Sequence, residues 1–237
     1  MIKINNVSKS FLTQEGKFEA LKNISLTIKD SSCTVIAGEN GSGKSLLMSV
    51  ISGLETPDSG SVECDRKAGL VFQEAETQIL GETPEEDITF GPSNLGLSKI
   101  EIKEAVNKAL EMTSLKEKKD YPARFLSGGE KRRLAIACMI AMDFSIIILD
   151  EPYANLDYTG VKQVNSLIKK LKSENKTVII LTHELEKCLA LADDFIVLFR
   201  GELVYHESPE NALKENLEKW NIRNPINSYK KLDDLIW

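Results

Sequence analysis

Residues Gly38 to Ser45, with the sequence GENGSGKS, combine three glycines with a lysine and a terminal hydroxyl. They match the pattern G-x-x-x-x-G-K-[ST] and lie between an apolar strand-like run and a helical pattern, which is the context in which this pattern binds nucleotides. Glycines let backbone N–H groups surround phosphate oxygens, and the N-terminus of a helix adds a positive end. We therefore predict a nucleotide site, with Lys44 at the β- and γ-phosphates and Ser45 as a ligand of Mg²⁺.

Residues 145–152, SIIILDEP, place two acidic residues directly after an apolar run. Such a run is typical of a parallel strand buried on both faces, and open α/β sheets bind ligands at the carboxyl ends of their strands. Asp150 at this end can hold Mg²⁺, and Glu151 can act as a general base toward an attacking water. The alternative is a solvated acidic turn, which is the weaker interpretation beside a phosphate loop.

A second glycine-rich stretch, RFLSGGEKRRLAIA at residues 124–137, also has the pattern of a helix start. Ser127 and Glu130 have the spacing of a capping box, which is a purely structural role. A cap does not explain the two consecutive glycines between them, because glycine weakens the first turn of a helix. The N–H donors exposed at such a start suit an anion. The basic residues 131–133 are interpreted as a solvated or salt-bridged face, since the chain is acidic overall.

The composition is that of an ordinary globular protein, with 237 residues of which 42% are hydrophobic and 28% charged. The net charge of −6 argues against nucleic acid as the main partner. The four cysteines are scattered without metal spacing, which predicts reduced core thiols. The first residues contain no apolar signal region, and no apolar run approaches the roughly 18 residues of a membrane span. We therefore expect a membrane connection only through a partner.

Strand and helix patterns alternate along most of the chain, which predicts an α/β fold with a mainly parallel sheet. The strand-like segments are 2–7, 18–28, 33–37, 68–72, 145–149, 177–181, 195–199 and 202–205. The helical patterns begin near Gly43 and then cover 84–90, 98–114, 128–142, 157–172 and 183–192.

The strand signals vanish between Gln73 and Asp143, which predicts an inserted helical subdomain. Its expected limits are about 74–142, inside an α/β core of about 1–73 and 143–206. Residues 207–237 form an expected short C-terminal helical extension, with Ser208 as N-cap and Pro209 in the first turn. Its apolar residues favour docking back on the core; they are Trp220, Ile222, Pro225, Ile226, Leu232, Leu235, Ile236 and Trp237.

Over residues 1–206 the chain resembles the ATP-binding cassette (ABC) ATPases. It contains GENGSGKS, LSGGE, IIILDEP, ANLD and LTHE in the family's order. The resemblance implies a P-loop NTPase core with a mainly parallel sheet, an antiparallel β subdomain and an inserted helical subdomain. It also implies two cassettes packed head to tail, identical or not, with each ATP between the phosphate loop of one and the LSGGE segment of the other. The nucleotide-binding residues that it implies are Phe11, Gly38, Glu39, Asn40, Gly41, Ser42, Gly43, Lys44, Ser45, Leu46, Ser127, Gly128, Gly129, Glu130 and Asp157.

The same resemblance assigns further roles by position. Phe11 matches the aromatic residue that stacks on adenine, with an ordinary core or surface Phe as the alternative. Gln73 matches the glutamine that approaches Mg²⁺ and the attacking water, and His183 matches the histidine at the γ-phosphate. Asp157 matches the aspartate that links the two sites of the dimer, although it can also simply cap the next helix. Tyr153 departs from the family's usual threonine, with no catalytic consequence.

A narrower resemblance covers residues 71–98, which look like the ATPases of energy-coupling factor transporters, including cobalt- and nickel-type importers. The matching residues are Gln78, Ile79, Leu80, Asp87, Ile88, Phe90, Gly91 and Pro92. Residues 74–77 depart from the proline–aspartate sequence that is usual in this family. The family uses this surface to hold a transmembrane coupling subunit, beside a membrane substrate-binding subunit. This implies an ATPase that drives uptake of a vitamin or metal ion from the cytoplasmic face of the membrane.

Three alternatives remain open on the sequence alone. Another ABC importer or exporter would keep every catalytic motif and differ in what the surface at 74–92 holds. A non-transport cassette normally carries two cassettes or a long coiled coil in one chain, and neither pattern is present here. A small-molecule kinase would need an acceptor pocket and would not need LSGGE.

Overall fold

The structure is a computed structural model that describes residues 1–14 and 16–226. Its contacts divide the chain into two compact units, one formed by residues 1–65 with residues 179 onward and one formed by residues 66–178. The strands are β1 (Ile2–Thr13), β2 (Gly16–Ile28), β3 (Cys33–Ala37), β4 (Ser59–Glu63), β5 (Ala68–Val71), β6 (Ile146–Asp150), β7 (Thr177–Leu181), β8 (Asp194–Phe199) and β9 (Glu202–Glu207). The α-helices are α1 (Lys44–Ile51), α2 (Pro84–Asn94), α3 (Lys99–Met112), α4 (Gly128–Ala141), α5 (Tyr158–Ser173) and α6 (Pro209–Ala212).

The first unit contains a three-stranded antiparallel sheet in the order β2-β1-β4. The start of β1 and the end of β2 alternate buried and exposed residues, as with the buried Ile2 and Ile4, because one face packs on the core and the other meets solvent. The first two strands agree with the prediction, although both are longer than expected. Strand β4 was not predicted, since SGSVE has few apolar residues and only one half-buried side chain.

The buried strands of the first unit bring the phosphate loop and β8 together. Every residue of β3 is buried, and β3 pairs in parallel with β8 from Thr34–Asp194 to Ala37–Val197. Strand β9 then pairs with β8 in antiparallel fashion. The continuous apolar runs therefore mark strands covered on both faces, as predicted.

The second unit combines the parallel pair β5 and β6 with a group of helices. Helices α2, α3 and α4 contact one another, and α3 and α4 each begin with a capping box. The α/β class and the mainly parallel strands are confirmed, whereas the limits 74–142 of the helical subdomain stay a prediction.

The predicted helix at 183–192 is wrong. The chain there forms two short 3₁₀ turns, Leu185–Lys187 and Leu189–Leu191, separated by Cys188. Cys188 has φ −141°, which no helix accommodates, so the apolar spacing reflects the burial of Leu185 and Leu189 and not a continuous α-helix.

The C-terminal extension packs on the first unit as far as it is described. After the four-residue helix α6, a 3₁₀ turn at Leu217–Trp220 buries Leu217, and the ring of Trp220 lies 5.5 Å from the ring of Tyr205. Leu232, Leu235, Ile236 and Trp237 lie outside the described residues. Among the helices that are described, none combines the length and the apolar character needed to cross a bilayer.

Candidate active site

The phosphate loop connects the buried strand β3 to helix α1, and the packing of this chain requires two of its three glycines. Gly43 has φ 101°, and a Cβ atom at this position would lie 2.8 Å from the carbonyl oxygen of Ala20. A Cβ atom at Gly38 would lie 2.3 Å from the carbonyl oxygen of Leu198. Only glycine fits these close approaches, so the loop has one compact shape.

The loop presents a set of donors suited to an anion. Within the described part of the chain, the backbone amides of Gly41, Gly43, Ser45 and Leu46 have no protein acceptor. The buried Lys44 donates from Nζ to the carbonyl oxygens of Gly38 at 2.7 Å and Glu39 at 3.0 Å. Clustered N–H groups at a helix start, next to a lysine, fit a chain of phosphate groups.

His183 and Phe11 also belong to the first unit. His183 is exposed and follows β7, and the amide of the preceding Thr182 donates to the carbonyl oxygen of Ile36 at 3.2 Å. His183 therefore follows a residue anchored to the strand that leads into the phosphate loop. Phe11 lies on β1 opposite Phe18 and exposes 42% of its surface, and the Lys9 ammonium lies 5.7 Å from the centre of its ring.

Asp150 ends strand β6 in the second unit, and Glu151 follows it directly. Asp150 is half-buried, and Glu151 is buried with φ 44°. A glutamate in the left-handed region is unfavourable by roughly 1–3 kcal/mol, and such residues cluster at functional sites, where the surroundings hold them in place. The backbone thus turns sharply at the residue predicted to be the general base.

Arg132 joins the second unit's predicted site segments. Its Nη1 donates to the carbonyl oxygens of Pro152 at 2.8 Å and Ala154 at 3.0 Å, and its Nη2 donates to the carbonyl oxygen of Gln73 at 2.7 Å. The structure therefore brings Gln73 and the turn after Glu151 together on one guanidinium.

Of the two interpretations of residues 131–133, a solvated or a salt-bridged face, the solvated interpretation is wrong for the two arginines. Arg132 and Arg133 are 6% and 7% exposed, and their guanidinium groups donate to backbone carbonyl oxygens of other segments. Burial lowers the pKa of Arg133, although the nearby Glu130 carboxylate raises it. Lys131 does form an ion pair, with Glu76 at 2.7 Å. The sequence signal that was missed is the continuation RRLAIA, in which apolar residues follow the arginines without a polar face.

The second glycine-rich segment forms the capped start of helix α4. The amide of Ser127 donates to Glu130 Oε2 at 2.9 Å and the amide of Glu130 donates to Ser127 Oγ at 3.3 Å, which confirms the predicted capping box. The amides of Gly128 and Gly129 have no acceptor in the described part of the chain. A Cβ atom at Gly128 would meet nothing within 4 Å. The packing of this chain therefore does not explain glycine at 128.

Asp157 and Tyr153 have structural contacts near the same turn. Asp157 Oδ1 accepts a hydrogen bond of 2.7 Å from the amide of Gly160, so Asp157 caps helix α5. The buried Tyr153 donates from its hydroxyl to Asn165 Oδ1 at 2.7 Å. The departure at Tyr153 is thus a core substitution, while the cross-dimer role of Asp157 stays a prediction.

The segment after Gln73 is arranged by two polar side chains. Gln78 accepts a hydrogen bond from the amide of Phe72 and donates to the carbonyl oxygen of Leu70. Buried Asp87 accepts from the amides of Leu80 at 2.7 Å and Gly81 at 2.8 Å. Gln78 and Asp87, which match the energy-coupling factor pattern, therefore hold the backbone of this segment through hydrogen bonds.

An apolar groove of about 300 Å³ lies beside this segment. Leu80 is 69% exposed and Phe90 is 53% exposed along it, and Leu95 is also exposed. Burial raises the pKa of the neighbouring Cys138 thiol well above its usual range, and the Asp87 carboxylate at 3.3 Å raises it further, so the thiol stays protonated. Exposed apolar residues around a groove mark a surface for a partner.

The predicted site residues thus divide between the two units. The first unit holds Phe11, the phosphate loop and His183. The second unit holds Gln73, the segment 127–130, Asp150, Glu151 and Asp157. Apart from Phe11, which lies within β1, most of these residues lie next to strand ends or helix starts, where α/β proteins bind ligands.

The family profile described as ABC transporter matches residues 21–154, which is more than half of the chain. The chain belongs to this family. The energy-coupling factor transporter ATP-binding protein EcfA1 of Caldanaerobacter subterraneus subsp. tengcongensis is 41% identical over 231 residues, which are 91% of this chain and 83% of the relative. EcfA1 of Clostridioides difficile is 36% identical over 230 residues, which are 91% of this chain and 83% of that relative.

Solved structures agree with this assignment. The cbiO1 protein of Clostridium perfringens, part of the ABC transporter complex cbiONQ, has a TM-score of 0.82 and 32% identity, covering 94% of this chain and 95% of that chain. A dimer of the cassette MJ0796 bound to ADP and Pi has a TM-score of 0.79 and 30% identity, covering 88% of this chain and 99% of that chain. The chain thus has the ABC ATPase fold. It binds ATP and hydrolyses it as the ATP-binding subunit of a membrane transporter.

Proposed function

We propose that this ABC ATPase powers an energy-coupling-factor-type importer of a vitamin or a transition-metal ion. It acts at the cytoplasmic face of the membrane with a second ATPase subunit, a transmembrane coupling subunit and a membrane substrate-binding subunit. The identity to EcfA proteins and the similarity to cbiO1, part of the complex cbiONQ, support this proposal. The transmembrane subunit binds the apolar groove beside Leu80, Phe90 and Leu95 through an apolar helix.

Hydrolysis uses the phosphate loop together with the residues that the family resemblance assigns. The phosphate loop and Lys44 bind the phosphate chain of ATP, and His183 contacts the γ-phosphate. Glu151 takes a proton from the attacking water while the water oxygen bonds to the γ-phosphorus and the bond to the β-phosphate oxygen breaks, which yields ADP and phosphate.

The donor chemistry of three side chains suits the Mg²⁺ ion that accompanies ATP. The Ser45 hydroxyl is exposed at the start of α1, the Asp150 carboxylate ends β6, and Gln73 is exposed after β5. Hydroxyl, carboxylate and amide oxygens are hard ligands of the kind that Mg²⁺ prefers. When bound, Mg²⁺ neutralises negative charge on the phosphate oxygens.

The observation that carries the dimeric mechanism is the start of helix α4. It offers the amides of Gly128 and Gly129 beside the Ser127 hydroxyl, and a side chain at Gly128 would meet nothing in this chain. Amides at a helix N-terminus suit an anion. We assign this anion as the γ-phosphate of ATP bound by the phosphate loop of the second cassette, so that two ATP molecules close the dimer.

The variant Glu151→Gln tests the chemical role. Removing the general base while keeping its size should lower the turnover number by about 100-fold or more, since general base catalysis supplies roughly 10²–10⁴-fold. ATP affinity should stay within a few-fold, and closed dimers should accumulate, which light scattering measures. Glu186→Gln, at an exposed position on a 3₁₀ turn, serves as a control of equal chemistry.

Retained turnover in Glu151→Gln would overturn the base assignment. The partner assignment is tested separately by gentle purification from solubilised membranes, followed by identification of the companion proteins. A transmembrane subunit together with a substrate-binding membrane protein is expected; soluble companions alone would contradict the importer.

A further inference from the structure

The side chain of Arg132 contacts two segments that each contain a proposed reactive residue. One segment is Gln73 itself, whose carbonyl oxygen accepts from Nη2 at 2.7 Å. The other is the turn after Glu151, whose carbonyl oxygens at Pro152 and Ala154 accept from Nη1 at 2.8 and 3.0 Å. A buried guanidinium that holds three carbonyl oxygens fixes backbone positions, because hydrogen bonds of a charged donor are about twice as strong as neutral ones.

The turn that Arg132 holds is strained. Glu151 has φ 44°, and the carbonyl group bound by Arg132 follows it directly at Pro152. A glutamate keeps such a backbone conformation only where its surroundings over-determine it. Arg132 supplies part of that constraint, and it does so from the side of the chain that carries Gln73.

The location of Arg132 on α4 adds a second consequence. Helix α4 begins at the segment 127–130, and Arg132 lies in its second turn. One short rigid element thus carries both the proposed contact with the other cassette's ATP and the group that holds this chain's own catalytic turn. A small shift of the helix start therefore reaches Gln73 and Glu151 through Arg132.

We propose that Arg132 is a positioning residue for ATP hydrolysis, which ties Gln73 and the turn after Glu151 to the start of helix α4. This inference rests on the proposed roles of Gln73 and Glu151. An arginine is required because its planar fork bonds carbonyl oxygens on two separate segments at once. The single ammonium of a lysine keeps the charge without reproducing that fork.

Arg133 provides a matched control on the same helix. It is buried to the same degree, and its guanidinium donates from Nε to the carbonyl oxygen of Thr113 at 3.0 Å and from Nη1 to Gln163. These partners lie on the segments after α3 and within α5 and carry no proposed reactive residue. Replacing either arginine removes a buried charge and its carbonyl contacts, but only Arg132 contacts the catalytic segments.

The test compares Arg132→Met, Arg132→Lys and Arg133→Met in the full chain. Turnover number, KM for ATP and melting temperature are measured for each, with turnover assayed well below the lowest melting temperature. Both Arg132 variants should lose roughly 10- to 100-fold in turnover number, since small misplacements of reacting groups cost that much, with KM within about 2-fold of wild type. Arg133→Met should lower the melting temperature while keeping its turnover number.

Equal turnover numbers in Arg132→Met and Arg133→Met would overturn the proposal. If Arg132→Met fails to fold, Arg132→Lys decides alone, because lysine keeps the charge and most of the aliphatic part of the side chain. A turnover number and KM equal to wild type in Arg132→Lys would also overturn the proposal. Glu151→Gln, measured in parallel, separates a failure of the proposed base from a failure of the proposed role of Arg132. If it still hydrolyses ATP, the proposed base is wrong; if it is inactive while the Arg132 variants are normal, only the role of Arg132 fails.

Discussion

The two glycine-rich helix starts of this chain look alike in sequence but differ in what explains their glycines. In the loop before α1, side chains at Gly38 or Gly43 would collide with backbone carbonyl groups of the same chain. At the start of α4, a side chain at Gly128 would meet open space. The glycines at 38 and 43 are therefore required by the packing of this chain, whereas that packing does not explain the glycine at 128.

This difference separates stability from function. Substitutions in the first loop disturb the fold and ATP binding together, because the same glycines serve both. Substitutions at Gly128 should leave the fold intact and affect only what approaches from outside. The two loops can therefore be tested against each other with variants that are each defective in one of them.

The largest effect is expected when two inactive variants are mixed. Lys44→Ala removes the phosphate-binding ammonium, and Gly128→Ala places a methyl group where the second cassette's ATP should lie. Each variant alone should lose nearly all ATPase activity. In a dimer of one chain of each variant, however, the intact phosphate loop of one chain faces the intact segment 127–130 of the other. About half of the dimers in an equal mixture contain both variants, and each of these has one intact site out of two. Mixing should therefore restore about a quarter of wild-type activity in a symmetric head-to-tail pair.

The measurement is phosphate release after mixing the two purified variants at equal concentration and above the dimerisation constant. Each variant mixed with itself is the control. If the segment 127–130 served the ATP of its own chain, both chains would stay inactive in every mixture. A complete lack of rescue in demonstrated mixed dimers would thus remove the main distinction between the two loops.

A smaller effect is expected on stability, with opposite signs at the two loops. Gly43→Ala should destabilise the chain by more than about 1 kcal/mol, since alanine is unfavourable at φ 101° and its Cβ would lie 2.8 Å from the Ala20 carbonyl oxygen. Gly128→Ala should be neutral or stabilise by up to about 1 kcal/mol, because alanine favours helices over glycine. Urea unfolding of both variants measures this. Equal destabilisation would show that Gly128 is also required by packing.

Local patterns predicted much of this molecule because they act within a few residues. The phosphate loop, the buried strand before Asp150 and the capping box at Ser127 each follow from short-range geometry that any chain with these residues obeys. Their positions in the structure agree with the sequence-based expectation. The proposed roles of His183, Gln73 and Asp157 depend instead on the family resemblance.

The features that were missed depend on tertiary surroundings. Nothing in the letters KRR shows that Arg132 and Arg133 are buried, because that depends on which carbonyl groups other segments leave unpaired around α4. The predicted helix at 183–192 failed for a similar reason, since apolar spacing reports burial and Cys188 breaks the backbone. Strand β4 was missed because pairing with β1, not hydrophobicity, defines it.

The smallest predicted effect concerns the contribution of the Glu130 carboxylate, in the capping box of α4, to stability. Burial raises the pKa of Glu130, but hydrogen bonds from Lys118 and from Ser127 lower it more, so the net pKa lies below its usual range. A carboxyl group with a lowered folded-state pKa stabilises the fold above its unfolded pKa and loses that contribution as pH falls through the folded value. Wild type should therefore lose more stability than Glu130→Gln between about pH 6 and pH 3.

The urea midpoint at several pH values in this window measures the difference, and the other carboxyl groups contribute equally to both proteins. Gln keeps an acceptor for the amide of Ser127, so the cap survives and only the ionic part is removed. Glu101→Gln, in the capping box of α3, is the matched control, since Ser98 lowers the pKa of Glu101 without a lysine. A larger acid-dependent loss at Glu101 than at Glu130 would mean that Lys118 contributes little to fixing the start of α4.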